Sequence, residues 1–199
     1  MSPLKTNLYL DNIDLKRYCL KNTTTPPEEA EDQTCLDDCP FLTSRQIQAC
    51  KLAIGARTYL PSGPPIIVPQ PIESDLIPLN EPDKNSMVIV SGNSRVTFEV
   101  LTAVWSQGFT PAYLLLIDCL GHTVDMAMVF GEFTPQRLKR ALEKTGIERK
   151  LAHRRMIVPG LASILAVDFA KTTGWEVVVG PVCAAELPLF LGDRWVFSG

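Results

Sequence analysis

Residues 87–118 read MVIVSGNSRVTFEVLTAVWSQGFTPAYLLLID, and the period of their apolar residues decides the fold. Met87 to Ser91 is a short apolar run of strand length. Gly92-Asn93-Ser94 interrupts it, with Ser94 as the N-cap of a helix predicted over Arg95 to Ser106 and Gly108 as its stop. Tyr113 to Asp118 is apolar almost throughout, as a strand buried on both faces is. Strand, glycine turn, helix and second buried strand make one repeat of a parallel α/β sheet.

The punctuation continues downstream. Cys119-Leu120-Gly121 is a turn, and Thr134-Pro135 opens a helix that Gly146 closes, with proline at the first helical position where its missing N–H is harmless. Met156 to Val158 reads as a third strand, Leu161 to Thr172 as a helix stopped by Gly174, Trp175 to Val179 as a fourth strand and Ala184 to Leu191 as a short last helix. Residues 122–131 fit two periods. Val124, Met126, Met128 and Phe130 alternate like a strand, while Val124, Ala127 and Met128 also share a helical face. The expected class is α/β, with a mostly parallel sheet and flanking helices over 86–199.

Upstream of residue 86 the composition changes. Most of the 16 prolines lie there, and acidic residues outnumber basic ones. Residues 1–60 read as an irregular segment containing Cys19, Cys35, Cys39 and Cys50, with a loop over 22–34 and one helix over Thr43 to Thr58. Residues 61–85 read as an extended linker wrapping the domain, because Pro64, Pro65, Pro69, Pro71 and Pro78 stop any helix. The 199 residues are 46% hydrophobic and 21% charged with a net charge of −3, the balance of a globular chain with a proper core. No basic run marks a phosphate backbone, so nucleic acid is not an expected partner. Neither a membrane-length apolar run nor a secretory leader is present, which predicts a cytoplasmic location and six reduced cysteines.

In an open parallel sheet, ligands bind beyond the carboxyl ends of the strands. The four loops to consider are Ser91-Gly92-Asn93-Ser94, Asp118-Cys119-Leu120-Gly121, Pro159-Gly160-Leu161-Ala162 and Gly180-Pro181 through Ala184-Ala185. Their small residues predict a broad, shallow floor suited to something large and flat. Neither dinucleotide nor P-loop glycine signatures occur.

These residues carry a resemblance. The Gly-Asn-Ser turn, residues 114–121 (LLLIDCLG), 153–162 (HRRMIVPGLA) and 173–181 (TGWEVVVGP) resemble, in order, the corrinoid-binding C-terminal domain of the large (gamma) subunit of the corrinoid iron–sulfur protein of CO dehydrogenase/acetyl-CoA synthase. The corrinoid protein of mercury methylation is related. The resemblance covers about residues 86 to 195 and implies a flavodoxin-like (Rossmann-like) fold holding a cobamide with its lower base detached. Its implied contacts are Gly92, Asn93, Ser94, Cys119, Leu120, Gly121, His122, Thr123, Met126, Pro159, Gly160, Leu161, Ala162, Gly180, Pro181, Ala184 and Ala185. It further implies a methyl carrier of one-carbon metabolism, in which Co(I) accepts and methyl–Co(III) donates a methyl group, working with methyltransferase or other corrinoid-protein subunits. The chain departs from the family in having no room for its barrel domain of roughly 250 residues. It lacks the transmembrane part of the mercury-methylation relative and has Met126 where that relative places a cysteine. Residues 118–123 also break the Asp-x-His-x-x-Gly pattern of the methionine-synthase type.

Several side chains carry two readings. Met126 stands under the cobalt as a weak thioether donor or fills a core gap. His122 coordinates cobalt or meets the corrin edge, or is an ordinary solvated or capping histidine. His153 has a structural role beside a strand, Cys183 is a small buried residue, and Cys119 has no evident acid or base to make it a nucleophile, so no catalytic residue is assigned. Cys19, Cys35, Cys39 and Cys50 suit a [4Fe–4S] cluster, a zinc ion or no metal; only Cys35 and Cys39 have zinc-like spacing. A second function class is a non-catalytic docking or scaffolding module of a corrinoid-handling complex.

Overall fold

The computed structural model describes residues 44–57, 68–106 and 110–191. Gly108 and the stretches 1–43, 58–67 and 192–199 lie outside the described residues, and with them Cys19, Cys35 and Cys39. The chain runs α1 (Ser44–Arg57), β1 (Leu76–Leu79), β2 (Met87–Gly92), α2 (Arg95–Ser106), β3 (Ala112–Ile117), α3 (Val124–Val129) and α4 (Pro135–Thr145). It continues as β4 (Arg155–Val158), α5 (Ala166–Thr173), β5 (Glu176–Val179) and α6 (Leu187–Leu191), with short 3-10 turns at Ile147–Arg149, Gly160–Leu165 and Ala184–Glu186.

The sheet has strand order β1-β3-β2-β4-β5. All neighbours are parallel except β1, which pairs antiparallel with β3. Within the three central strands successive residues serve opposite faces. Val88, Val90, Tyr113, Leu115, Ile117, Met156 and Val158 join one apolar cluster with Leu138 and Leu142 of α4 and Phe169 of α5. Met87, Ile89, Ala112, Leu114, Leu116 and Ile157 join the other, with Val100, Leu101, Val104 and Trp105 of α2 and Leu187, Phe190 and Leu191 of α6. This is why β2 and β3 read as unbroken apolar runs: each side chain is buried, whichever way it points. A fully buried Leu such as Leu138 contributes about 1.5–3 kcal/mol. Helix α1 adds a small outer contact, Ala49 and Ala53 against Leu189.

Most expected elements are present, with physical reasons for the differences. Residues 122–131 resolve as helix α3, since Val124 and Ala127 are buried together while Met126 and Val129 are exposed. The helix expected over Leu161–Thr172 begins as a 3-10 turn, with Ala162 drawn into the core, and becomes α-helical only at Ala166. The stretch expected as linker supplies a strand. Leu79 and the half-buried Leu76 and Ile77 give β1 its apolar content, and Pro78 is tolerated at the sheet edge. Ser94 stands at the head of α2, where its carbonyl accepts from Phe98 N at 3.0 Å, but its hydroxyl caps nothing and is buried without a partner. Thr134 behaves as expected: its hydroxyl accepts from Arg137 N, and Gly146 ends α4 at φ 60°.

Candidate functional site

Strand β2 has its parallel neighbours β3 and β4 on opposite sides, and the chain reaches them by crossovers on opposite faces of the sheet. That makes the carboxyl end of β2 the topological switch point, where open α/β sheets leave a crevice. A cleft of about 350 Å³ opens there. Its walls are apolar for the most part, from Val90 of β2, Val96 and Val100 of α2, Val158 of β4, and Leu161 and Val182 of the following loops. Among the lining residues Ser91, Thr97 and Thr123 bring hydroxyls and Asp125 the single formal charge. Thr123 is the N-cap residue of α3, yet its side chain makes no capping hydrogen bond.

The glycines at the strand ends do not leave the open floor the sequence predicted. A side chain on Gly160 would meet Gly180 O at 2.8 Å and Val182 N at 2.9 Å, and one on Gly180 would meet Ile157 at 2.8 Å. Gly160 N donates to Pro181 O at 2.8 Å, so the two loops are packed backbone on backbone. Gly121, at φ +78°, would place a Cβ only 2.3 Å from Pro71 N. These glycines are needed so that protein segments approach one another, and the cavity forms beside them.

Asn93 organises the loops. Buried to 3% exposure, its Oδ1 accepts from Cys119 N at 2.8 Å and Gly121 N at 3.1 Å, while Nδ2 donates to Ile72 O at 2.9 Å and to Asp118 Oδ1 at 3.4 Å. Residues 70–72 form a strap over this junction: Gln70 N donates to Gly121 O, Ile72 N to Asn93 O, and Gln70 O accepts from Arg95 N. Arg137 donates to Asp118 O from the start of α4. Asn93 and Gly121 are therefore framework residues of the site, as Gly92 is, with Cys119 Sγ 3.5 Å from where its Cβ would be.

The remaining expected positions do not share one environment. Thr123, Pro159, Leu161, Pro181 and Ala184 line the cleft, whereas Cys119, Ala162 and Ala185 are fully buried in the core. Burial pushes the Cys119 thiol up to about 12, which removes it as a nucleophile. Leu120, at φ 55°, and Met126 of α3 are exposed. His122 is half-buried, its Nδ1 2.7 Å from Glu132 Oε2 and its ring centroid 5.0 Å from that of Phe130. His153 is structural, with Nε2 3.0 Å from Ser86 O and Nδ1 accepting from Arg155 N at 3.2 Å. Cys183, expected to be buried, is only half-buried and lines the cleft. Cys50 is half-buried on α1, and among the described residues no three His, Cys, Asp or Glu side chains converge on a common point.

Val96, Thr97, Asp125 and Val182 line the cleft without having been expected there. The signal for them was positional: each lies in the first turn after a strand-end loop, or within such a loop. Helix α3 and the 160–165 turn both contribute to the cleft and pack on each other, and they expose Met126, Val129, Leu161 and Ile164. Such an arrangement offers a mostly apolar slot for part of a ligand, a few hydroxyls to orient it and exposed apolar side chains on the segments beside it. Among the described residues no helix is long and apolar enough to cross a membrane.

Known proteins share much of this chain's sequence. The profile of the family described as CO dehydrogenase/acetyl-CoA synthase delta subunit matches residues 56–191. Among curated proteins, the acetyl-CoA decarbonylase/synthase complex subunit gamma of Methanopyrus kandleri is 36% identical over 123 residues, 62% of this chain and 27% of that one. Its counterpart from Methanocaldococcus jannaschii is 35% identical over 127 residues, 64% of this chain and 26% of the relative. The corrinoid/iron-sulfur protein large subunit of Moorella thermoacetica is 30% identical over 123 residues, 62% of this chain and 28% of the relative. The chain thus spans about a quarter of the length of these curated relatives.

Proposed function

The chain belongs to the CO dehydrogenase/acetyl-CoA synthase delta subunit family, and from that premise we propose that it binds a cobamide and serves as a methyl carrier in one-carbon metabolism. The matched region contains the whole α/β body, which we read as the equivalent of the relatives' corrinoid-binding domain and as akin to the mercury-methylation protein. The observation that carries the reading is the mostly apolar cleft at the switch point, lined in part by the loops for which the resemblance implied corrinoid contacts.

The residues fit the group. A corrinoid is too large for a 350 Å³ cleft, so only part of it enters, and the remainder rests on exposed apolar side chains such as Leu120, Met126 and Val182. Ser91, Thr97 and Thr123 supply hydrogen bonds to polar substituents, and the low charge of the lining suits a group whose bulk is uncharged. When bound, the cobamide would supply the cobalt chemistry of methyl-group transfer, which belongs to the cofactor. The protein's part would be to hold the group against α3 and the cleft loops, exclude water there and leave it accessible to a methyltransferase subunit. Met126, exposed on α3, would offer the group a weak thioether. Cys19, Cys35, Cys39 and Cys50 belong to the same proposal as ligands of a [4Fe–4S] cluster, with zinc or no metal as the alternatives, and the setting is the cytoplasm.

The exposed apolar rim also supports a second reading, a docking module within a corrinoid-handling complex. One experiment separates the two. The protein is mixed anaerobically with hydroxocobalamin, desalted and reduced stepwise under an absorption spectrometer. Retained base-off bands that convert to Co(I) are expected of a carrier; a colourless protein after desalting overturns that function and leaves the docking module.

A further inference from the structure

We propose that Asp125 and Ser91 make the cleft selective for a ligand edge that carries primary carboxamides, and turn carboxylates away. The inference rests on the corrinoid reading and names the part of such a group that the cleft takes. Its basis is that the fold uses none of the hydroxyl or carboxylate side chains on the cleft wall. Ser91, Thr97, Thr123 and Asp125 all line it, and among the described residues no hydrogen bond or ion pair involves their side chains. Hydroxyls elsewhere are engaged by their own elements: Thr102 donates to Phe98 O at 2.9 Å and Thr173 to Phe169 O at 2.7 Å.

Ser91 gives the stronger signal. It is 3% exposed, and the alternation along β2 sets its side chain in the row of Met87 and Ile89, on the α2 face of the sheet. The cleft takes in Ile89, Thr97 and Val100 on that same face. Unlike Ser94, whose hydroxyl is sealed in the interior, Ser91 opens onto the cleft. A hydroxyl buried this far with no protein partner is left unsatisfied unless a group entering the cleft answers it.

Asp125 has the complementary need. It stands in the first turn of α3, which packs against β2, and its charge faces a lining that is otherwise uncharged. A carboxylate offers acceptor sites alone, whereas a hydroxyl both donates and accepts. Primary carboxamides answer both, with N–H groups for Asp125 and carbonyl oxygens for Ser91. A ligand carboxylate has no N–H to give, and its charge beside that of Asp125 is repelled the more strongly as apolar walls displace the water between them. The side chains around a corrinoid are amides of carboxylic acids, so the same position exists in both chemical forms.

The test uses the full chain with two corrinoids that have no nucleotide base: cobinamide, whose side chains are carboxamides, and cobyrinic acid, which carries carboxylates in their places. Equilibrium dialysis, read by corrinoid absorption, gives both dissociation constants. The parent protein is expected to bind cobinamide about tenfold more tightly, and Asp125→Asn to narrow that preference to about twofold. Ser91→Ala is expected to weaken cobinamide binding about fivefold with the urea midpoint preserved. Glu143→Gln, the same charge change on an exposed position of α4 outside the cleft, is expected to leave the preference as it was. The assignment is overturned by cobinamide binding without preference over cobyrinic acid, by a preference that Asp125→Asn leaves intact or Glu143→Gln lowers equally, or by unchanged cobinamide affinity in Ser91→Ala. Each of these leaves the carrier function standing, whereas failure to bind either corrinoid overturns both.

Discussion

At the scale of single residues, burial separates the thiols. Cys119 is 0% exposed beneath the 119–121 turn, and burial raises its ionisation from 9.0 to about 12. Between these values the unfolded chain loses the proton before the folded one does, so the contribution of Cys119 to stability is intact below pH 9 and declines as pH rises from 9.0 towards about 12. Iodoacetamide at pH 8 is accordingly expected to modify Cys183, which lines the cleft, well before Cys119, with Cys119 labelled only after unfolding. Mass spectrometry of the two peptides decides this, and rapid native labelling at Cys119 contradicts it. Nothing in the local sequence distinguished the two cysteines. Each follows or adjoins a strand-end loop, and only the packing of Cys119 against Gly92, opposed to the open wall beside Cys183, sets their difference.

At the scale of elements, α2 and α4 begin alike in sequence and differently in space. Thr134 accepts from Arg137 N at 3.3 Å, whereas the Ser94 hydroxyl is buried without a partner. Thr134→Ala should cost about 1 kcal/mol in a urea titration. Ser94→Ala should be neutral or slightly stabilising, since it removes an unsatisfied buried hydroxyl. Equal losses at the two sites would show that Ser94 is hydrogen-bonded in solution. Helix α4 was legible because its signals are local: a threonine cap, proline at the first helical position, glycine at the stop. The state of residues 122–131 was not, because six helical residues give too short a record to separate two periods and the burial of Ala127 settles the matter. Strand β1 was hidden for another reason. A proline-rich context argues against a strand, and only the free edge of β3 makes one possible.

At the scale of the whole molecule, the sequence's apolar runs, read with their glycines, were enough for the layered architecture, but the boundary at residue 86 divides interacting parts. Beginning a fragment at 86 removes β1 and the 70–72 strap, uncovers the edge of β3 and deprives Asn93 Nδ2 of Ile72 O. Residues 44–199 are expected to give a monomer with a single cooperative unfolding transition, and 86–199 an aggregating or loosely folded product. Light scattering and urea unfolding compare them, and equal behaviour would mean that the upstream segment is dispensable. The candidate site was legible as a set of loops, since the carboxyl ends of parallel strands follow from the topology. Its cleft was not, because the distinction between a glycine facing a ligand and one facing another backbone depends on distances that no pattern of residues records. The strap carries a mechanical consequence. The chain enters the sheet across the site, so tension from its N-terminal side first loads the bonds of Gln70 and Ile72 to Gly121 and Asn93. A pull there would loosen the turn before His122 while the central strands stayed zipped, and a force probe attached at residue 68 would register the grip on a ligand as resistance to shear.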